Sequence, residues 1–366
     1  MAVEYRLDVR DTSGDLVAQL VGLATGGFLS LSWRRVVNAP GMLSFSLDAG
    51  SEVVPELAIG RTVEVWRRDQ DNDIAWTREM VGVVRGMTRN YRTYDMLTVS
   101  AVGCLWLLAT RHVLWYAGTT NRSAFSDKPA ETIMKTLVRY NAGSDATTAN
   151  GRLRAGVISG LSVEADGGHG NSLDWYCAYD NLLETLQKLA SVGGGDFDLE
   201  PNTVPPSYMF KWYTGQRGTD RSASVVYSLD YGNMEGPEYS EDGLEERSVA
   251  VVLGRGAEDS RAVVIRTSPD YDATINNIET IVNATDVTTT AALQARGDNV
   301  LAERGRKRDF RFKALQSWPG CLYGKHVFLG DLVTARYHTS LTRKVVAVGA
   351  TYDERGETLQ LEFGEP

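Results

Sequence analysis

A chain of 366 residues has room for two or three domains. Its 43% apolar content supports ordinary cores, and 36 glycines against 10 prolines favour tight β turns over linkers. The net charge of -9 argues against a protein that grips nucleic acid by neutralising phosphates, while leaving open an acidic passage through which DNA slides without sticking.

Residues 1 to about 110 read as β structure. Tyr5, Leu7 and Val9 alternate before a turn at Ser13-Gly14; Leu29, Leu31 and Trp33 alternate in the next strand. Asn38-Ala39-Pro40-Gly41 is a turn, and Leu43, Phe45 and Leu47 alternate after it. The acidic run Asp69-Gln70-Asp71-Asn72-Asp73 has the flavour of a calcium loop. It carries Ile74 and Met80 where that motif needs glycine and glutamate, so a solvated hairpin tip is expected.

Near residue 110 the pattern changes. Ser126-Asp127-Lys128-Pro129 predicts a helix start, with Ala130, Ile133, Met134, Leu137 and Val138 on one face and a stop at Gly143. A second helix is predicted from about Asn181, with Leu182, Leu183, Leu186 and Leu189 on one face, ended by Gly193-Gly194-Gly195. Tyr208, Phe210 and Trp212 then alternate, followed by Val225 to Tyr227, Val249 to Leu253 and Ala262 to Ile265. A third helix is predicted from about Thr288 to Gly305. Its basic tail, Arg304 to Arg308, suits a helix C-terminus or a solvated end better than a nucleic-acid contact in so acidic a chain.

Two stretches look like one stretch written twice. Ile59-Gly60-Arg61-Thr62-Val63-Glu64-Val65 is followed by Thr77 to Val83 and Leu97 to Gly103. Leu329-Gly330-Asp331-Leu332-Val333-Thr334-Ala335 is followed by Thr342 to Val348 and Leu359 to Gly364. Three matched segments in the same order predict an internal duplication. The expected fold class is mainly β with α+β insertions: two similar small antiparallel β-barrel domains plus one or two smaller α+β domains. The expected boundaries are 1–110 for the first barrel, 111–206 for an α+β domain, 207–240 with 309–366 for a discontinuous second barrel, and 241–308 for an inserted α+β segment.

The residues that carry chemistry form no recognisable set, so no catalytic, cofactor-binding or metal-ligating residue is assigned and no cofactor is expected. His112, His169, His326 and His338 lack ligand spacing, and no zinc-protease, nucleophile-elbow or phosphate-loop motif is present. Asp166-Gly167-Gly168-His169-Gly170 reads either as a pocket lining or as a plain loop. Asp196/Asp198, Glu241/Asp242 and Glu245/Glu246 are carboxylate pairs of the kind glycoside hydrolysis uses, but only the fold brings such groups to a defined separation. Cys104, Cys177 and Cys321 are far apart and read as buried thiols. The N-terminus shows no secretory signal, and no apolar run is long enough to span a membrane as a helix.

The run Trp33 to Leu47, the run Asn181 to Leu189 with Phe197-Asp198-Leu199-Glu200-Pro201, and the closing run Leu329 to Leu361 together resemble the tail hub, or tail-associated baseplate hub, proteins of long-tailed phages. The resemblance implies a homotrimer whose two barrels per chain make a pseudo-sixfold ring, which joins a sixfold object to a threefold one. It implies a place at the tail tip of a virion, made in the host cytoplasm, beneath a hexameric distal tail or tail tube protein. The lumen would close the tube, hold the end of the tape measure protein and pass DNA on ejection. Because the chain stops after the second copy, fibre or receptor-binding work is expected of other proteins. No enzyme activity, sequence-specific nucleic acid binding or membrane insertion is implied. Unpaired strand edges are expected to serve assembly, and Trp106, Trp115, Tyr116, Trp175 and Tyr176 to lie at interfaces. The competing readings are a distal tail protein, a carbohydrate-binding adhesion module with aromatic platforms, and a glycoside hydrolase.

Overall fold

The computed structural model describes residues 3–23, 27–91, 94–116, 121–285, 289–315 and 320–366. Period-two alternation lays the first hundred residues into β1 (Val3–Arg10), β2 (Leu16–Val21), β3 (Ser30–Val36), β4 (Ala39–Asp48), β5 (Thr62–Asp69), β6 (Ile74–Tyr91) and β7 (Asp95–Gly103). One face of these strands is buried: Tyr5, Leu7, Val9, Leu31, Trp33, Leu43, Phe45, Leu47, Val63 and Val65 are all withdrawn from solvent. Next come a short helix α1 (Trp106–Ala109), β8 (Ser123–Pro129), α2 (Ala130–Asn141), β9 (Leu161–Val163), β10 (Ser172–Cys177), α3 (Leu182–Gly193), β11 (Gly195–Pro201) and β12 (Tyr208–Thr214). The chain continues as β13 (Val226–Ser228), β14 (Met234–Asp242), β15 (Val249–Leu253), β16 (Val263–Thr267), β17 (Glu279–Asn283), α4 (Thr290–Glu303) and β18 (Lys307–Ala314). It ends with β19 (Leu332–Arg336), β20 (Ser340–Asp353) and β21 (Gly356–Gly364).

The fold is mainly β, and the duplication is visible in its hydrogen bonds. β5-β6-β7 and β19-β20-β21 are matching antiparallel triplets. Each opens on a glycine with φ of +92°, Gly60 and Gly330, a left-handed conformation that disfavours any side chain. Gly60 N donates to Val84 O and Val84 N to Arg61 O, both at 2.9 Å. Gly330 N donates to Val345 O and Val345 N to Asp331 O, again at 2.9 Å. The next residue of each middle strand bulges, Arg85 between Val84 and Gly86, and Val346 between Val345 and Ala347.

The two expected small β domains are joined: the ladders among the described residues form one eleven-stranded sheet, with no closed barrel, in the order β13-β19-β20-β3-β4-β7-β6-β5-β1-β2, with β21 on β20. The reason is β20. Its first half pairs with β19 and its second half, Ala347 to Tyr352, pairs with Val36 to Leu31 of β3. The second copy therefore runs into the first and does not curl back on itself.

The helical layer packs α2 and α3 on the small sheet β11-β12-β9. Its core includes Ile133, Met134, Leu137, Leu186, Leu189, Phe197, Phe210 and Trp212. Two expectations change here. Tyr208 to Thr214, assigned from sequence to the second barrel, pairs antiparallel with β11 and parallel with β9 and belongs to this layer. The predicted helix start at Ser126-Asp127 lies within β8; Ser126 Oγ and Asp127 N donate to Asp174 Oδ1 instead. The first N–H groups of α2 are satisfied by main-chain carbonyls, Ala130 N by Asn171 O and Glu131 N by His169 O. The helix from Asn181 is as predicted, with Asn181 Oδ1 accepting from Glu184 N and Gly194 left-handed at its end.

The chain divides into two units, Met1–Glu235 with Lys313–Pro366, and Gly236–Phe312. The second unit holds the sheet β16-β15-β17 with α4 packed against it through Ala250, Val252, Val282, Ala284, Leu293 and Leu301. Thr289 caps α4 by accepting from Ala292 N, one residue inside the predicted start; Thr288 lies outside the described residues.

One buried ion pair ties the two copies together. Arg67 of β5 donates from Nε and Nη2 to the two oxygens of Glu357 on β21, at 2.6 and 2.7 Å. The Tyr5 hydroxyl donates to the same carboxylate at 2.5 Å, and Trp33 Nε1 donates to Tyr5 at 3.2 Å. Arg67 is 3% exposed. Removing one partner leaves a charge stranded in the core, so Glu357→Ala is expected to cost about 3–5 kcal/mol, whereas Arg67→Met with Glu357→Leu recovers most of it. Urea unfolding of the two variants measures both.

Candidate functional site

The first unit contains a cleft of about 230 Å³ where the sheet meets the helical layer. Its construction begins at the β3–β4 turn. Asn38 sits there with φ of +58°, a conformation asparagine tolerates, and its side chain enters the helical layer. Asn38 Nδ2 donates to Asp196 Oδ1 at 2.9 Å, Phe197 N donates to Asn38 Oδ1 at 2.8 Å, and Gln187 Nε2 donates to Asn38 O at 2.9 Å. Asp196 Oδ2 also accepts from Arg217 N at 2.7 Å and pairs with Lys344 at 2.5 Å. Asp331 plays the same part on the other side, accepting from Thr219 N, Arg221 Nε and Phe328 N at 2.7 to 2.9 Å.

The cleft itself is lined by charges that already have partners. Arg78 donates to the carbonyls of Pro201, Asn202 and Thr203 and to Glu64. Arg217 pairs with Asp198 and Glu200, and Glu200 also with Lys211. Burial opposes ionisation of Glu200, but Lys211, Tyr213 and Arg217 hold it below the usual carboxylate range. Glu79 is the cleft carboxyl that is raised. Burial pushes it up, against the Tyr323 hydroxyl bonded to it at 2.6 Å and the cations Arg35 and Arg67. Cys104 is pushed up to about 12 by burial and is no thiolate at neutral pH. These groups brace two layers; they do not present an open pair of carboxyls to a substrate.

The other residues singled out from sequence are dispersed. His112, His326 and His338 stand apart: His326 Nδ1 accepts from Leu322 N, and His338 lies against Tyr337. Among the described residues no group of three or more His, Cys, Asp or Glu is placed to hold a metal ion. The three cysteines are buried and free, as expected. The basic run is neutralised locally: Arg306 pairs with Glu241 and Glu246, and Arg308 with Glu241 and Asp270. Asp69 in the acidic tip binds the amide groups of Asn72. The aromatic rings are largely covered. Arg6 lies over both Trp66 and Trp76, Arg68 over Trp76, Arg85 over Trp106 and Arg122 over Tyr176, while Trp115 stacks on Tyr140 at 4.3 Å.

His169 does have a partner, which sequence spacing did not reveal because it lies 38 residues away. Glu131, on α2, accepts from Gly167 N at 3.1 Å and His169 N at 2.8 Å, lies 2.7 Å from His169 Nδ1, and pairs with Lys135 at 2.5 Å. Burial works against the Glu131 carboxylate, yet Lys135 and the His169 and Gly167 amides pull its pKa from 4.5 down to about 2. The loop Asp166–Gly170 is thus latched to α2. Because the unfolded chain takes up this proton first, the latch stabilises the fold above pH 4.5 and loses that contribution as pH falls toward 2. Thermal unfolding across that range is expected to be less pH-dependent in Glu131→Gln than in the native chain.

With this geometry in hand, comparison with known proteins is informative. A family model described as Siphovirus ReqiPepy6 Gp37-like protein matches residues 6–365, and the chain belongs to that family. Its fold is that of solved prophage tail proteins. The 43 kDa tail protein of prophage MuSo2 from Shewanella oneidensis aligns with a TM-score of 0.61 and 14% identity, over 99% of this chain and 98% of the other. A tail protein from Neisseria meningitidis MC58 aligns with a TM-score of 0.58 and 13% identity over 99% and 96%. Prophage tail protein gp18 from Listeria monocytogenes EGD-e aligns with a TM-score of 0.57 and 12% identity over 98% and 94%. No curated protein sequence matches the chain. No helix among the described residues is long and apolar enough to cross a membrane.

Proposed function

We propose that this phage tail family member is the structural hub of a tail tip: a homotrimer whose six strand triplets form a pseudo-sixfold ring. The observation that carries the reading is the duplication itself. Gly60 and Gly330 start two triplets with the same turn, the same hydrogen bonds and the same bulge. Three chains then supply six near-equivalent blocks, which suits a threefold tip beneath a sixfold tube.

In this reading the ring sits under a distal tail or tail tube hexamer, closes the tube around the end of the tape measure protein, and opens a passage for DNA. The net charge of -9 supports that passage, since a carboxylate-rich wall repels phosphate and does not trap the genome as it leaves. The braced charges of the cleft and the arginine-covered tryptophans support a structural part over catalysis or glycan binding. Tail fibres or receptor-binding proteins would do the recognition, and the protein's place is the virion tail.

Light scattering on the purified chain tests this. The expected mass is that of three chains, with a central hole in negative-stain images of the same peak. A single chain at every concentration, with affinity for polysaccharide, would replace the hub with an adhesion module.

A further inference from the structure

The matched triplets differ in one respect that points to the surface joining one copy of the chain to the next. In the second triplet, the residues after the bulge, Ala347 to Tyr352, pair on one edge with β21 and on the other with β3 of the first copy. Val37 N donates to the carbonyl of the bulged residue Val346 at 2.9 Å. The equivalent residues of the first triplet are Gly86 to Tyr91, counted from the equivalent bulge. They pair with β7 on one edge, and among the described residues nothing pairs with the other. Burial follows the pairing. Val348, Ala350 and Tyr352 are buried, whereas their counterparts Met87 and Tyr91 are 41% and 78% exposed and Arg89 is exposed too. An unpaired edge of this length is a template for another strand.

The chain also holds the strand that fits. In the first copy, the hairpin β3–β4 precedes β5, and β3 is the strand that reaches across to β20. In the second copy, β14 and β18 stand at the corresponding place before β19 and pair with each other, with the second unit inserted where Asn38 forms the turn in the first copy. By chain order β14 corresponds to β3 and β18 to β4; the two have each other as their single strand partner among the described residues, which leaves an outer edge of each open. Of the acids on β14, Glu235 pairs with Lys313 of β18 and Glu241 with Arg306 and Arg308, while Glu238 and Asp242 are exposed. The open edge of β6 carries Arg85, which lies over Trp106, and Arg89, which is paired with Asp95 of β7. Beside the seam within the chain, Arg34 of β3 donates to Glu362 of β21 at 2.9 and 2.7 Å.

We infer that β14 of one copy of this chain adds to the Gly86–Tyr91 edge of β6 in a second copy, repeating between chains the β3–β20 seam within the chain. The inference rests on the ring reading and names the edge through which the ring closes. A strand added at each such edge alternates an internal seam with an intermolecular one around six blocks.

Hydrogen exchange on the native oligomer tests the pairing directly. Amides of Gly86 to Tyr91 are expected to be protected in the oligomer and to exchange freely in the dissociated chain. Reversing the edge charge at Arg85, with Arg85→Glu, leaves the Arg89–Asp95 pair intact and is expected to weaken assembly several-fold, and adding Glu238→Lys with Asp242→Lys is expected to restore it. Circular dichroism checks that these surface variants stay folded. An oligomer in which Gly86 to Tyr91 remain unprotected overturns the pairing and leaves the ring reading in place. A chain that never associates overturns the ring reading itself.

Discussion

The Arg67–Glu357 pair is the constraint on which the rest of this structure leans. It joins the first strand of one triplet to the last strand of the other, at opposite ends of the sequence, and it does so out of water. A charge pair in that setting depends on its hydrogen bonds; Tyr5 and Trp33 extend the network on the Glu357 side, while Arg67 Nη1 is buried without a hydrogen-bond partner. The consequence is geometric. Bidentate contact fixes orientation as well as distance, so the two triplets are held in one relation to each other. In the proposed ring, such a fixed angle would keep the two blocks of one chain in register.

Much of this architecture was legible in the sequence because it rests on local rules. Alternation gives the strands. Gly60 and Gly330 announce the same left-handed turn, and the leucines after Asn181 give a helix with its cap. What was not legible depends on pairing partners, which periodicity does not encode. Tyr208, Phe210 and Trp212 alternate as they would in either sheet; only the register with β11 assigns them to the helical layer. Ser126-Asp127 looks like a cap, but α2 takes its acceptors from Asn171 and His169, forty residues on, so its own capping residues were free for another strand. The merging of the two copies through β3 and β20 likewise has no local signature, and it is why the two β domains share one sheet.

The same distinction explains the candidate site. Asp196 and Asp198 read in sequence as a carboxylate pair of the kind chemistry uses, and Glu200 follows on the same strand. In the fold each is committed: Asp196 to Asn38, Arg217 and Lys344, Asp198 to Arg217, Glu200 to Lys211 and Arg217. Charge around the cleft is committed to bracing layers against one another, and the exposed Arg89 on the open edge of β6 is likewise paired, with Asp95. On the proposed reading, function resides in surfaces that repeat.

The central claim is that the two triplets act as equal blocks of one ring. Electron cryo-microscopy of the assembled protein tests it most directly. The account predicts three chains and six lobes at a common height and radius, each lobe a strand triplet opening on Gly60 or Gly330. Triplets that lie at different heights or radii, or a ring built from another number of chains, would contradict it.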